Sequence, residues 1–142
     1  GGAGRNRGGI GVVRLHRLLA DEAVMQLRTD RYATKPYGLF GGEAGLPSLN
    51  VLTTAETGKA EVLPSKVTRT VRRGDVIRHE QAGSGGYGHP SERDPARVLE
   101  DVLDGKVTEA FAREGFGVVI RDGSVDVSAT ARLRDERARA AA

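Results

Sequence analysis

Cysteine and tryptophan are absent from this sequence, and methionine occurs once. Without cysteine there is no disulfide framework and no thiolate chemistry, which accords with a reducing compartment, so a cytoplasmic location is the expectation. Aromatic residues make up only 4% of the chain, too few to interleave with basic side chains as a platform for stacking bases. No apolar run is long enough for a bilayer span, and the opening residues 1–9 show no signal-peptide pattern. Histidine is scarce too. His16, His79 and His89 stand apart, outside any H-x-x-x-H or H-E-x-x-H pattern, so no metal set is legible. A strong charge of one sign is also missing: 22 basic against 19 acidic residues leave +3, a mixed surface with a slight basic excess.

What the chain has instead is glycine. Twenty glycines in 142 residues concentrate in the first half and at residues 83–88. Such a density marks turns and places where backbones approach one another or a ligand closely. Residues 83–88 satisfy the G-x-G-x-x-G spacing, but the context is wrong for a dinucleotide loop. Gly88 is followed by His89-Pro90-Ser91-Glu92-Arg93 rather than by a helix start, and no Lys-Ser/Thr follows the glycines. Gly-Ser-Gly around Ser84 fails as a nucleophile elbow, because Ala82 stands two residues before the serine.

Periodicity divides the chain at Pro90. Before it, short alternating runs predict strands: Val12 to Leu19 and Ala23 to Leu27, expected to pair as a hairpin, then Val51 to Thr54, Val67 to Val71 and Val76 to Glu80. Glu56-Thr57-Gly58-Lys59 and Arg72-Arg73-Gly74-Asp75 read as turns. The loop Lys35 to Gly42 is expected to be ordered by packing of Tyr37, Leu39 and Phe40. After Pro90 the period becomes helical. Asp94-Pro95 caps a helix carrying Val98, Leu99, Val102 and Leu103 and closed by Gly105. Thr108 caps a second helix ended by Gly115, Gly117 to Ile120 form a strand, and Asp122-Gly123 a tight turn. Asp126 or Ser128 caps a last helix through about Arg139, which should lie on the surface because Leu133 is nearly its sole large apolar residue. The fold class is therefore α+β: a β-rich part, residues 1–90, with glycine-rich loops, and a helical segment with one short strand, residues 91–142.

Two basic stretches raise a nucleic-acid reading: Arg5 and Arg7 among the first glycines, and Arg69, Arg72, Arg73 and Arg78, read most simply as a solvated sheet edge. Asp30 beside Arg28 and Arg31 forms either an ion pair that holds its loop or a substrate contact.

In order along the chain, Gly2-Ala3-Gly4-Arg5-Asn6-Arg7-Gly8-Gly9-Ile10-Gly11, Asp30-Arg31, Gly38-Leu39-Phe40-Gly41-Gly42, Gly45-Leu46-Pro47, Leu63-Pro64-Ser65-Lys66, Gly74-Asp75 and Gly83-Ser84-Gly85-Gly86-Tyr87-Gly88 resemble the C-terminal part of the hydantoinase B / 5-oxoprolinase family. Glu92-Arg93-Asp94-Pro95, Val102-Leu103-Asp104-Gly105 and Phe116-Gly117-Val118-Val119 extend the likeness; His89 stands where that family usually has an acidic residue, and Phe116 where it has a tyrosine. The resemblance implies a piece of the B subunit of an ATP-dependent amidohydrolase that opens cyclic amides such as hydantoins or 5-oxoproline. It implies as partners the upstream portion of the same B subunit, an A-type ATP-binding subunit and a small cyclic amide, with no membrane and no nucleic acid. ATP and a divalent metal belong to the full enzyme, the metal upstream of this stretch, and neither is expected on this chain. The substrate-facing candidates are Asp30, Arg31, Gly83, Ser84, Gly85 and Gly86. An autonomous β-rich module with weak nucleic-acid affinity is the alternative.

Overall fold

The computed structural model describes residues 1–140. Its strands are β1 (Val13–Arg17), β2 (Glu22–Arg28), β3 (Leu49–Thr53), β4 (Ala60–Val62), β5 (Lys66–Arg72) and β6 (Val76–Glu80). A short 3-10 turn at Pro90–Glu92 leads to α1 (Pro95–Leu103) and α2 (Glu109–Phe116), then a small hairpin of β7 (Ile120–Arg121) and β8 (Ser124–Val125), and finally α3 (Val127–Ala140). This is a β-rich α+β architecture with antiparallel sheets, as the change of period implies. Among the described residues no helix is long and apolar enough to cross a membrane.

The pairing differs from the expected hairpin. β1 and β2 do not pair: β1 runs against β6 in a four-stranded sheet ordered β1-β6-β3-β4, and β2 runs against β5 over seven residues. The reason lies in the faces and the turns. Ala23, Met25 and Leu27 put one side of β2 against Leu52, Leu63 and Val71, and β5 carries the matching alternation, whereas every residue of β1 is exposed. The connection after β1 bonds to the β5–β6 turn instead of closing on itself: Leu18 N–H donates to Asp75 O, Gly74 N–H to Leu18 O and Arg73 N–H to Asp21 O. Gly74 adopts a φ of 88° there, and the Asp75 carboxylate accepts from the Arg72 and Ala55 N–H groups. Those backbone donors hold Asp75 below the usual carboxylate range.

The helical segment has its own core of Val98, Ala112, Phe116 and Val118, into which Ala3 is inserted from the start of the chain. Its caps are largely those legible in the sequence. Asp94 accepts from Ala96 N–H at 2.9 Å and Thr108 from Phe111 N–H at 3.1 Å. The second helix, however, runs past Gly115 to Phe116 and ends at Gly117, which takes the left-handed conformation with φ 65°. Gly115 lies in the last turn, where a Cβ would press on the Phe111 ring at 3.1 Å. The strand expected from Gly117 shrinks to two residues, since Val118 N–H donates to Ala112 O and Val119 N–H to Thr130 Oγ1 rather than to a ladder. α3 presents few apolar side chains and is held by arginines instead. Arg134 donates to Phe116 O and Arg137 to Glu114 O and Arg113 O, the terminal carbonyls of α2.

Three glycine segments join these parts. Gly2 N–H donates to Ser84 O, Glu43 N–H to Ala3 O, Gly86 N–H to Glu43 O, Leu39 N–H to Gly86 O and Gly88 N–H to Leu39 O. Tyr37, Leu39 and Phe40 are exposed, so the expected side-chain packing is confined to the Phe40 ring, 5.1 Å from that of Tyr87, and to Tyr37 beside Arg31. These backbone bonds do most to order the 35–42 loop. A Cβ on Gly86 would stand 2.0 Å from Ala3 O, and one on Gly42 2.1 Å from Gly86 O. Gly86→Ala should therefore cost about 3 kcal/mol in a urea melt. Gly9→Ala, whose Cβ would meet only Ser84 Oγ at 3.5 Å, should melt like the parent; equal stabilities of the two variants would contradict backbone-to-backbone closure.

A buried ion triad fastens the first segment to the helices. Asp101 receives Arg7 Nε at 3.0 Å and Arg93 Nη2 at 2.7 Å, with all three side chains nearly enclosed. Burial alone pushes this carboxyl up, but hydrogen bonds and charge from Arg7 and Arg93 outweigh it and hold the group below its ordinary range. A carboxylate whose folded pKa is lowered contributes stability that is complete above its unfolded value of about 4 and is lost as pH falls through the folded value. Thermal melts of the parent should thus lose stability below about pH 4. Asp101→Ala should cost about 3–5 kcal/mol at neutral pH, since it strands two guanidiniums, and should flatten that acid limb. An unchanged acid limb in the variant would show that the triad is not its origin.

Candidate functional site

The end of β2, the face of β1 and β6 and the glycine loop after β6 border an open cavity of about 580 Å³. Strand register builds one wall. Arg14, His79 and Asn50 are cross-strand neighbours on β1, β6 and β3, so their side chains share one face of the sheet. They form a gradient: Arg14 is exposed, His79 half-buried, and Asn50 fully buried. Asn50 Nδ2 donates to the buried Thr29 Oγ1 at 3.0 Å, which leaves its Oδ1 to face His79 Nδ1. A carbonyl oxygen only accepts, so His79 carries its proton on Nδ1 and Nε2 is the nitrogen left for other partners.

The second wall is the segment after β2. Thr29 N–H donates to Ser65 O at 2.8 Å and Ser48 N–H to Arg31 O at 2.9 Å, so the chain is fixed on each side of Asp30. Arg31 is a non-glycine residue at φ 55°, a conformation costing roughly 1–2 kcal/mol. Its guanidinium lies 5.9 Å from the centre of the Tyr37 ring. The third wall is the glycine loop, pinned where Ala82 N–H donates to Ser48 Oγ and Ser84 N–H to Gly9 O.

Of the candidates, Asp30, Arg31, Gly83, Ser84 and Gly85 line this one cavity. Gly86 does not: it is buried behind the wall against Ala3. Among the described residues Asp30 makes no ion pair with Arg28 or Arg31; all three side chains are exposed at the cavity instead. Sequence reasoning missed Arg14, Asn50 and His79, because their adjacency is a fact of strand register across three strands distant in sequence. The other histidines serve elsewhere: His89 caps the 3-10 turn, accepting from Ser91 N–H, and His16 lies exposed on β1.

The basic stretches read as nucleic-acid contacts are largely taken up within the chain. Arg7 is spent on Asp101, and Arg69, Arg73 and Arg78 meet Glu61, Asp21 and Glu80. Nor do they form one sheet edge, since Arg69 and Arg72 lie on β5 and Arg78 on the inner strand β6.

Asn50→Ala should cost about 1–3 kcal/mol by leaving the buried Thr29 hydroxyl unpaired. It should also release the His79 ring, read by NMR as loss of the protected Nδ1–H signal. Retention of that signal would mean that another group holds the ring.

The comparisons with known proteins agree with this architecture. The family model described as Hydantoinase B/oxoprolinase matches residues 1–90. The chain is 35% identical to an uncharacterized protein of Methanocaldococcus jannaschii, over 94% of this chain and 24% of that one. It is 36% identical to a protein assigned as the B subunit of a D-/L-hydantoinase in Pseudomonas sp. strain NS671, over 92% of this chain and 22% of that one. The ATP-dependent caprolactamase of Pseudomonas jessenii superposes with a TM-score of 0.80 at 30% identity, covering 94% of this chain and 24% of its own. A nucleotide-free acetone carboxylase superposes at 0.79 and 25%, covering 98% and 23%. The chain thus spans about a quarter of the length of the relatives it matches. With the family match over residues 1–90 and more than a third of residues identical along nearly the whole chain, it belongs to the Hydantoinase B/oxoprolinase family.

Proposed function

We propose that this chain is the C-terminal part of a B-type subunit in an ATP-dependent cyclic amidohydrolase, opening hydantoins, 5-oxoproline or a similar lactam. In this reading it supplies scaffold, subunit contact and one substrate-facing surface. The observation that supports it most directly is the cavity beside the glycine loop, which gathers five candidate residues within the family's matched region. The caprolactamase whose fold it shares is named for a lactam, and the hydantoinase for a cyclic ureide.

The reading assigns ATP to an A-type partner and the divalent metal to another part of the B subunit. Among the described residues no three His, Asp or Glu side chains stand together to hold an ion, so these side chains do not themselves fit a metal. What the chain's own residues offer is a polar, partly enclosed wall: an aspartate, arginines and an oriented histidine around backbone that glycine leaves bare. Such groups orient a ring amide and stabilise charge that develops as it opens.

The test is hydrolysis of hydantoin and of 5-oxoproline with ATP, by the isolated chain and by the assembly of A and complete B subunits carrying it. Turnover is expected from the assembly alone, and Asp30→Asn there should lower kcat/KM about tenfold, near 1.4 kcal/mol, with unchanged melting. Turnover by the isolated chain would sink the scaffold reading. An assembly that hydrolyses no cyclic amide would sink the substrate class.

A further inference from the structure

Three guanidiniums face the cavity against one carboxylate. Arg14, Arg28 and Arg31 line it together with Asp30, and among the described residues none of the three forms an ion pair or donates a side-chain hydrogen bond. This contrasts with Arg69, Arg73 and Arg78, which each meet a carboxylate. The Tyr37 ring beside Arg31 contacts a guanidinium without using its N–H edge. Like charges gathered around one concavity raise the local potential and favour an anion there.

The backbone adds donors. Along the glycine loop, Ser84 N–H donates to Gly9 O and Gly86 N–H to Glu43 O. The alternate N–H groups, those of Gly83 and Gly85, have no acceptor among the described residues, and both residues line the cavity. Unpaired backbone N–H groups on glycine, with no side chain to screen them, are a recurrent means of holding oxyanions. The Ser48 and Ser84 side chains stand at the same wall, and Arg31 keeps its left-handed backbone there.

From this we infer that the cavity is an oxyanion-binding site, taking a carboxylate or a phosphoryl group through Arg14, Arg28, Arg31 and the N–H groups of Gly83 and Gly85. The inference deepens the proposed function and rests on it only for the anion's source: a carboxylate on the cyclic amide, or a phosphoryl group placed on it at the expense of ATP. Arg28 and Arg31 bracket Asp30, so the anion is held beside the one acidic group of the wall. That acid disfavours ligands carrying many negative charges and suits a single carboxylate or phosphate.

The experiment titrates the 142-residue chain, at low ionic strength, with three probes: inorganic phosphate, 5-oxoproline, and 2-pyrrolidinone, the same lactam lacking the carboxylate. NMR resonances of the arginine Nε–H groups and of the Gly83 and Gly85 N–H groups report the site. Saturable shifts with phosphate or 5-oxoproline are expected. Arg31→Gln and Arg14→Gln should each weaken binding about tenfold, as loss of one charge-assisted hydrogen bond requires. Arg97→Gln, on the exposed face of α1, should bind like the parent. Binding of 5-oxoproline without 2-pyrrolidinone identifies the carboxylate as the source, and binding of phosphate alone identifies the phosphoryl group. The inference is overturned if neither anion shifts these resonances, if both cavity variants bind like the parent, or if 2-pyrrolidinone binds as well as 5-oxoproline while phosphate does not bind. Neither ATP nor a partner enters this titration. Binding without turnover in the assembly would remove the amidohydrolase reading and leave the site; turnover without binding would do the reverse.

Discussion

Backbone packed directly on backbone is the constraint from which this structure follows. Residues 1–9, 38–45 and 83–88 meet through main-chain hydrogen bonds, at separations that leave no space for a Cβ at Gly2, Gly8, Gly42, Gly85 or Gly86. Such contact contributes little apolar burial, so its stability comes from satisfied N–H and C=O groups and from the cores on either side. The core of Leu52, Leu63 and Val71 lies among the β2, β3, β5 and β6 residues, and that of Val98, Ala112, Phe116 and Val118 among the helices. Ala3 belongs to the glycine junction and to the helical core at once, and is fully buried.

Charge is distributed to match. The half-buried Arg7 and Arg93 are paired with Asp101, and the half-buried Arg134 caps carbonyls at the end of α2. At the cavity the arginines are exposed and unpaired among the described residues. The first arrangement stabilises the fold only while both partners remain, because a lone buried charge is costly. The second leaves charge free to act on whatever enters.

Much of this was legible in the sequence where the signal is local. The caps at Asp94 and Thr108 and the turns at Gly58 and Gly74 follow from side chains that bond their own neighbouring backbone or permit a positive φ. Periodicity placed most of the strands and helices but not their partners: β1 and β2 look like a hairpin, yet sheet membership is settled by which face each buries against residues far along the chain. The same non-locality hid Asn50 and His79, whose relation exists only once β3 and β6 are in register. Asp30, Arg31 and the Gly83 loop were singled out because they carry the family's residues, and all but Gly86 of those six line one cavity. The Tyr37-Leu39-Phe40 expectation held only for ring contacts at the surface, Phe40 with Tyr87 and Tyr37 with Arg31, for a physical reason: where glycines permit main-chain closure, the neighbouring large side chains are left exposed.

The glycine junction and the cavity rim differ in what they tolerate. At Gly2, Gly8, Gly42, Gly85 and Gly86 of the junction an added Cβ would collide with a carbonyl of another segment, so replacement there is resisted whatever its chemistry. At the rim, Arg14, Arg28 and Arg31 are exposed side chains that no junction contact encloses, Arg31 with the Tyr37 ring beside it. A scaffold of this kind can be retuned from one ligand to another by altering a few projecting groups, while the frame behind them stays closed to change.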